Sequence, residues 1–213
     1  VQSHRGRGPA RRPLIALAAA GLLAGAPAAP PPCPPGTTRH EAAREGWCAG
    51  PDGLRQGPVW GRHADGTLRF LGAAQDDLLH GPWRSWHASG ALSIEAHYAR
   101  GRLAGPFRMW NGDGRLVYAG QHDAAGAMDG RFERWWPDGR LRLRWQMRAG
   151  AHHGPVEGWY ASGSRRVRGE RRDGLAHGAW TWWNEDGSVA RECRYAQGRP
   201  LEGACAAPGA RGE

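Results

Sequence analysis

Short runs of alternating hydrophobic and polar residues recur along the chain. Leu92, Ile94, Ala96 and Tyr98 hold one parity while Ser93, Glu95 and His97 hold the other, and Leu141, Leu143, Trp145 and Met147 alternate in the same way with Arg142, Arg144 and Gln146. Period two with one apolar side predicts half-buried antiparallel strands. Before each run stands a short aromatic segment, such as Trp83-Arg84-Ser85-Trp86 or Phe107-Arg108-Met109-Trp110, opened by Gly or Gly-Pro. Between segment and run lies a turn dipeptide ending on Gly66, Gly90, Gly114, Gly139, Gly163 or Gly187. Four of these dipeptides are Asp-Gly, which predicts two-residue type I′ hairpins. The aromatics of the opening segment stand three apart, as in a helix, but about six residues fenced by turns cannot sustain one. A strand that is bulged, or that carries aromatics on both faces, is predicted instead.

The opening glycines Gly57, Gly81, Gly105, Gly130, Gly154 and Gly178 follow one another at 24, 24, 25, 24 and 24 residues, and each is followed nine residues later by its turn glycine. A second set, Gly101, Gly126, Gly150, Gly174 and Gly198, marks the turn into the following unit. Fixed self-similarity of this kind is the signature of a repeat array. The fold class predicted is all-β: six units of about 24 residues, each an antiparallel β-hairpin, joined in tandem into an elongated single-layer twisted sheet. Twelve strands ~4.8 Å apart give a length on the order of 55 to 60 Å. Such a sheet has little conventional core. Rings stacked from unit to unit, Trp86, Trp110, Trp135, Trp159 and Trp183 among them, must do the burying, which suits a chain with 12 Trp and only 3 Phe.

The flanks divide the rest. Arg5, Arg7, Arg11 and Arg12 precede an apolar run from Leu14 to Ala24 and the small residues Ala26-Pro27-Ala28. Residues 1–28 therefore read as a secretory signal peptide, of Sec or twin-arginine type, cleaved before Ala29. The apolar run falls short of the ~20 residues of a spanning helix, so no transmembrane helix is expected in the mature chain. Residues 29–56 read as a Pro- and Gly-rich, irregular N-terminal cap, 57–203 as the array and 204–213 as a C-terminal tail. All 29 basic residues are Arg, and loss of the four signal arginines takes the formal charge from +9 to +5. Cys33 and Cys48 lie before the array, Cys193 and Cys205 at its other end. Four cysteines allow three pairings; local pairing at each end is the simplest, and disulfides suit an exported chain better than a metal, since no C-x-x-C is present.

The pattern Tyr98-x-x-Gly101-x-x-x-Gly105-x-Phe107-x-x-Trp110-x-x-x-Gly114 resembles the MORN (membrane occupation and recognition nexus) repeats in their bacterial variant form, over about residues 57 to 203. The first unit departs from it, with Arg62 in the Trp86 position, and so does the fifth, with Arg171 in the Tyr98 position. The resemblance implies a hairpin array used for protein–protein contact, scaffolding or association with phospholipid. Some bacterial members carry an antitoxin label, which fits poorly with a signal peptide.

Candidate chemistry is sparse. His80, His153 and His177 recur directly before an opening glycine, which points to a structural duty within the repeat. No nucleophile elbow, phosphate loop or dinucleotide fingerprint is present, so an enzyme is not expected, nor a cofactor or bound metal. Arg140, Arg142, Arg144, Arg166 and Arg168 fall in the second arms of the fourth and fifth units and could form a patch for anionic lipid, envelope polysaccharide or an acidic protein. Glu133, Glu157 and Glu170 stand by to neutralise it. Export argues against nucleic acid. The functional expectation is an exported, non-enzymatic interaction or scaffold module at the cell envelope with an unidentified protein partner.

Overall fold

A computed structural model describes residues 25–201 and Cys205. Most of the expected signal peptide, residues 1–24, lies outside the described residues, as does the C-terminal tail apart from Cys205. The strands in chain order are Thr38–Ala42 (β1), Glu45–Ala49 (β2), Arg55–Arg62 (β3), Leu68–Gln75 (β4), Leu78–Leu79 (β5), Gly81–Trp86 (β6), Leu92–Ala99 (β7), Arg102–Leu103 (β8) and Gly105–Trp110 (β9). They continue with Leu116–His122 (β10), Gly130–Trp135 (β11), Leu141–Arg148 (β12), Ala151–Trp159 (β13), Arg165–Arg172 (β14), Leu175–Trp183 (β15), Val189–Ala196 (β16) and Arg199–Pro200 (β17).

Each arm pairs antiparallel with the next, so the described chain is one open meander of hairpins. β5 and β6 both pair with β4, and β8 and β9 both pair with β7, so each couple is one arm broken near its opening glycine. The segment read as an irregular cap carries structure of its own. β1 and β2 form a further hairpin whose inner strand pairs with β3, extending the array beyond twelve strands.

The turn chemistry inverts the expectation. In the loop inside each hairpin only Gly66 or its equivalent has positive φ; Gly66 N–H donates to the His63 carbonyl at 3.1 Å and His63 N–H to the Thr67 carbonyl at 2.8 Å. That is a three-residue loop, a type I turn completed by a left-handed glycine, and not a type I′ turn. The aspartate of Asp65-Gly66 serves elsewhere, its Oδ1 accepting the Thr67 N–H at 3.0 Å. The type I′ turns lie between units, where Arg100 (φ 50°) and Gly101 (φ 79°) both occupy the left-handed region and Ala99 pairs with Arg102. The one connection that departs from this, Asp123 to Ala127, is again a three-residue loop. Its extra residue accounts for the single 25-residue spacing.

Two register slips fix which face each side chain takes. The first arm carries two extra residues at its opening glycine, as between the Ala74–Leu79 and Leu71–Arg84 pairs, which preserves alternation. The second arm carries one, Ser93 in the second unit, because Ser85 pairs with Ile94 but Trp86 with Leu92. A one-residue slip reverses the side of everything beyond it. The alternating run from Leu92 to Tyr98 is therefore not a single apolar face: Leu92 joins Trp86 on one side, Ile94, Ala96 and Tyr98 lie on the other. Plain alternation along the unbulged first arm sets Trp83 and Trp86, three residues apart, on opposite faces, as one of the two sequence alternatives had it.

The sheet thus buries rings on both sides. On the face bearing Trp86, the front, Cys48, Trp60, Leu68 and Trp86 cluster with Leu71 and Leu92. On the back, Phe132, Trp145 and Met147 cluster with Tyr118, Met128, Leu143 and Val156. Glycines make the back possible. Gly72, Gly120 and Gly169 sit beneath Trp83, Phe132 and Trp180, whose rings occupy the space a Cβ would take. Flat stacking follows, as in Phe70–Trp83 with centroids 4.6 Å apart and Phe132–Trp145 at 5.6 Å. The ends are stapled by disulfides Cys33–Cys48 and Cys193–Cys205, the local pairing.

Candidate interaction face

The front face is built from two rows that cross the strands. The first is the tryptophan row. Trp86, Trp110, Trp135 and Trp183 stand opposite Leu92, Leu116, Leu141 and Val189, and Trp159 opposite Arg165. The first unit, lacking this tryptophan, fills the space with Trp60 from two residues earlier, 1% exposed. Three of the units are latched at the row. His63 Nε2 lies 3.0 Å from the Trp86 carbonyl, His87 Nε2 3.0 Å from that of Trp110, and Tyr160 donates to that of Trp183 at 2.7 Å.

The second row is charged and alternates in sign. Direct pairing runs Arg84, Glu95, Arg108, then Ala119, then Glu133, Arg144, Glu157, Arg168, Thr181 and Glu192. Glu95 bridges Arg84 at 3.0 Å and Arg108 at 3.1 Å; Arg144 bridges Glu133 at 2.8 Å and faces Glu157 at 3.8 Å. Opposite charges directly across strands stabilise the sheet by a few tenths of a kcal/mol each, roughly. Their greater consequence is local neutrality.

That row separates the five arginines singled out from sequence. Arg144 and Arg168 belong to it and face carboxylates, with Arg144 also 5.7 Å from the Trp159 ring centroid. Arg142 and Arg166 are the extra residues of their second arms, and Arg142 stacks over Trp136 at 4.3 Å. Arg140 reaches to the next unit's loop, donating to the Ala161 carbonyl at 2.7 Å. The structure does not bring the five together on one alternating strand face. Sequence reasoning named Glu133 and Glu157 as neutralising residues but missed that they stand at the third residue after the opening glycine, where the second and third units have Arg84 and Arg108.

The histidines before opening glycines do not converge: His153 Nδ1 is 3.2 Å from the Asp173 carboxylate, and no group of three His, Cys, Asp or Glu among the described residues could hold a metal. His122 and His152 lie on the back against Phe132 and Trp145, where burial holds both imidazoles below the usual histidine range. Asp123 opposes that shift at His122, and Arg171 adds to it at His152.

Coverage of the front face differs along the array. Over the first two units lies the described N-terminal segment: Ala26 and Cys33 pack on the Cys48, Trp60, Leu68 and Trp86 cluster, and Pro30 is buried. Gly25 reaches Gly90 of the second unit, and Pro34 sits beside Gly57. Over the third to sixth units no described residue plays this part, and Trp110, Trp135, Trp159 and Trp183 remain half-buried. No helix among the described residues is long and apolar enough to cross a membrane. No curated protein matches the chain significantly. Two stretches, residues 79–99 and 176–197, one in each half of the array, match the MORN repeat variant family.

Proposed function

We propose that this protein is an exported, non-enzymatic scaffold that binds another protein at the cell envelope through the front face of its third to sixth units. Repeats of this kind are protein- or membrane-interaction modules. The observation that carries the reading is the row Trp110, Trp135, Trp159 and Trp183, half-buried and covered by none of the described residues, beside a charge row that is ion-paired within the sheet from Arg84 to Arg108 and from Glu133 to Glu157. Aromatic rings at the centre and paired charges at the rim are the composition of a protein interface. Two disulfides support an oxidising compartment, and a signal peptide over residues 1–28 would deliver the chain there. Affinity capture from envelope extract with the oxidised mature protein tests the reading. A stoichiometric protein partner is expected; recovery of none, or a mature N-terminus other than Ala29 by mass spectrometry of a cytosolic fraction, overturns it.

A second reading rests on Arg142 and Arg166, which have no ion pair among the described residues and stand on equivalent bulges of adjacent units. These two could engage anionic lipid or envelope polysaccharide. Sedimentation with liposomes containing 30% anionic lipid (about the content of such membranes) checks it: binding lost on raising salt supports this reading, and absent or salt-insensitive binding removes it.

A further inference from the structure

We infer that the uncovered tryptophan row takes a proline-rich polypeptide in extended polyproline II form, laid across the strands. The inference rests on the interaction-module reading above and names the chemistry of the partner. Its first support is the chain itself. Ala29 to Pro34, the part of the covering segment that the expected cleavage leaves, with sequence Ala-Pro-Pro-Pro-Cys-Pro, has no regular secondary structure and lies over the front of the first unit, with Pro30 buried, Cys33 packed on the cluster of Cys48, Trp60, Leu68 and Trp86, and Pro34 beside Gly57. This segment ends at the Cys33–Cys48 bridge in β2. The front of units three to six continues that same interface with its occupant missing among the described residues.

The second support is metric. Tryptophans of the row recur every second strand, about 9.6 Å apart. A polyproline II helix advances about 9.3 Å in its three-residue turn. Every third residue of such a chain meets the next ring, and about ten residues span from Trp110 to Trp183. Proline rings stacking on indoles lose little conformational entropy, because the free chain is already extended. Third, the charge row beside the groove is neutralised within the sheet, from Glu133 through Arg144 to Glu157, which removes the attraction that would favour an acidic ligand.

The probes are synthetic all-proline peptides of four and twelve residues and a twelve-residue Gly-Ser peptide, added to the oxidised mature protein while the indole N–H signals are followed by NMR. The twelve-residue proline peptide is expected to shift the Trp110, Trp135, Trp159 and Trp183 signals and to bind at least tenfold more tightly than the four-residue one. Trp159→Ala is expected to weaken it about tenfold, while Trp182→Phe on the back leaves it unchanged. Because the wild-type shifts need no variant, misfolding of Trp159→Ala does not blunt the test. Shifts confined to Trp83 or Trp182, equal binding of the Gly-Ser peptide, or no dependence on length overturns the inference. If envelope extract yields a protein partner while millimolar proline peptide leaves the front indoles silent, this inference falls and the interaction reading stands.

Discussion

The imidazole of His87 reaches across two strands to the backbone of Trp110, its Nε2 lying 3.0 Å from that carbonyl, 23 residues along the chain. The carbonyl can only accept, so Nε2 carries the proton. His63 and Tyr160 make the same latch to Trp86 and Trp183, whereas the third unit has Asn111, whose Oδ1 accepts within its own loop, and the fourth has Trp136. Where present, the latch ties its loop to the tryptophan row of the next unit. His87→Ala is expected to lower stability by about 1 kcal/mol, read as a fall in urea midpoint with an unchanged slope. His87→Gln, which keeps a donor, is expected to recover part of the loss.

Glycine on the back face is a steric requirement. The Phe132 ring lies in the space a side chain at Gly120 would fill. Phe132 itself is fully buried between Tyr118, His122 and Trp145 and has no room to retreat. Gly120→Val is therefore expected to cost about 2 to 3 kcal/mol through overpacking. Gly139→Ala, with open space around its Cβ position, carries only the cost of its left-handed φ. Thermal midpoints of the two variants should separate in that order.

The two back-face histidines give the fold an acid-sensitive window. His122 and His152 have their pKa lowered chiefly by burial, and each Nδ1 is enclosed without a hydrogen-bond partner among the described residues. A folded-state pKa below the unfolded one means that the unfolded chain takes up the proton first. Stability is then present above about pH 6.5 and falls as the pH drops through and below that value. The lowered carboxylates Asp65, Asp173 and Asp186 act in the same direction but in a separate window, below about pH 4. Urea midpoints measured at pH 8, 6.5 and 5.5 should fall over the lower step, and the double variant His122→Gln with His152→Gln should flatten that fall.

The Cys33–Cys48 bridge closes 15 residues and anchors the segment that covers the first two units. Its replacement by serines is expected to cost about 3 kcal/mol and to increase hydrogen exchange at Trp60 and Trp86. Loss of Cys193–Cys205 should leave those front-face amides unaffected, since that bridge ties the far end of the array.

Much of this was legible in the sequence because the repeat is written in glycine. The spacing of Gly81 and Gly90 and their equivalents gave the hairpin array directly, and Cys33 and Cys48 lie close enough in sequence to suggest their partnership. Turn type was misread because Asp-Gly suits two different loops, and only the φ of Asp65 and its hydrogen bond to Thr67 tell them apart. The faces were misread for a related reason. Alternation from Leu92 to Tyr98 looks unbroken, but the extra residue Ser93 reverses it, and a bulge leaves no mark in composition. The placing of the arginines was hidden on the same ground: Arg142 and Arg144 share a parity, yet one sits on a bulge and the other pairs with Glu133. The cover over the first two units could not be foreseen, since Pro30 to Pro34 carries no periodicity that announces a docked chain.

The central claim is that the front tryptophan row of units three to six is the surface that other molecules occupy. Oxidative footprinting of the mature protein, free and with the partner captured from envelope extract, reads it at single-residue level. Protection of Trp110, Trp135, Trp159 and Trp183, with Trp83 and Trp182 on the back unchanged, is the result expected. Protection confined to the back-face rings, or to Arg142 and Arg166 with the four tryptophans unaltered, would contradict it.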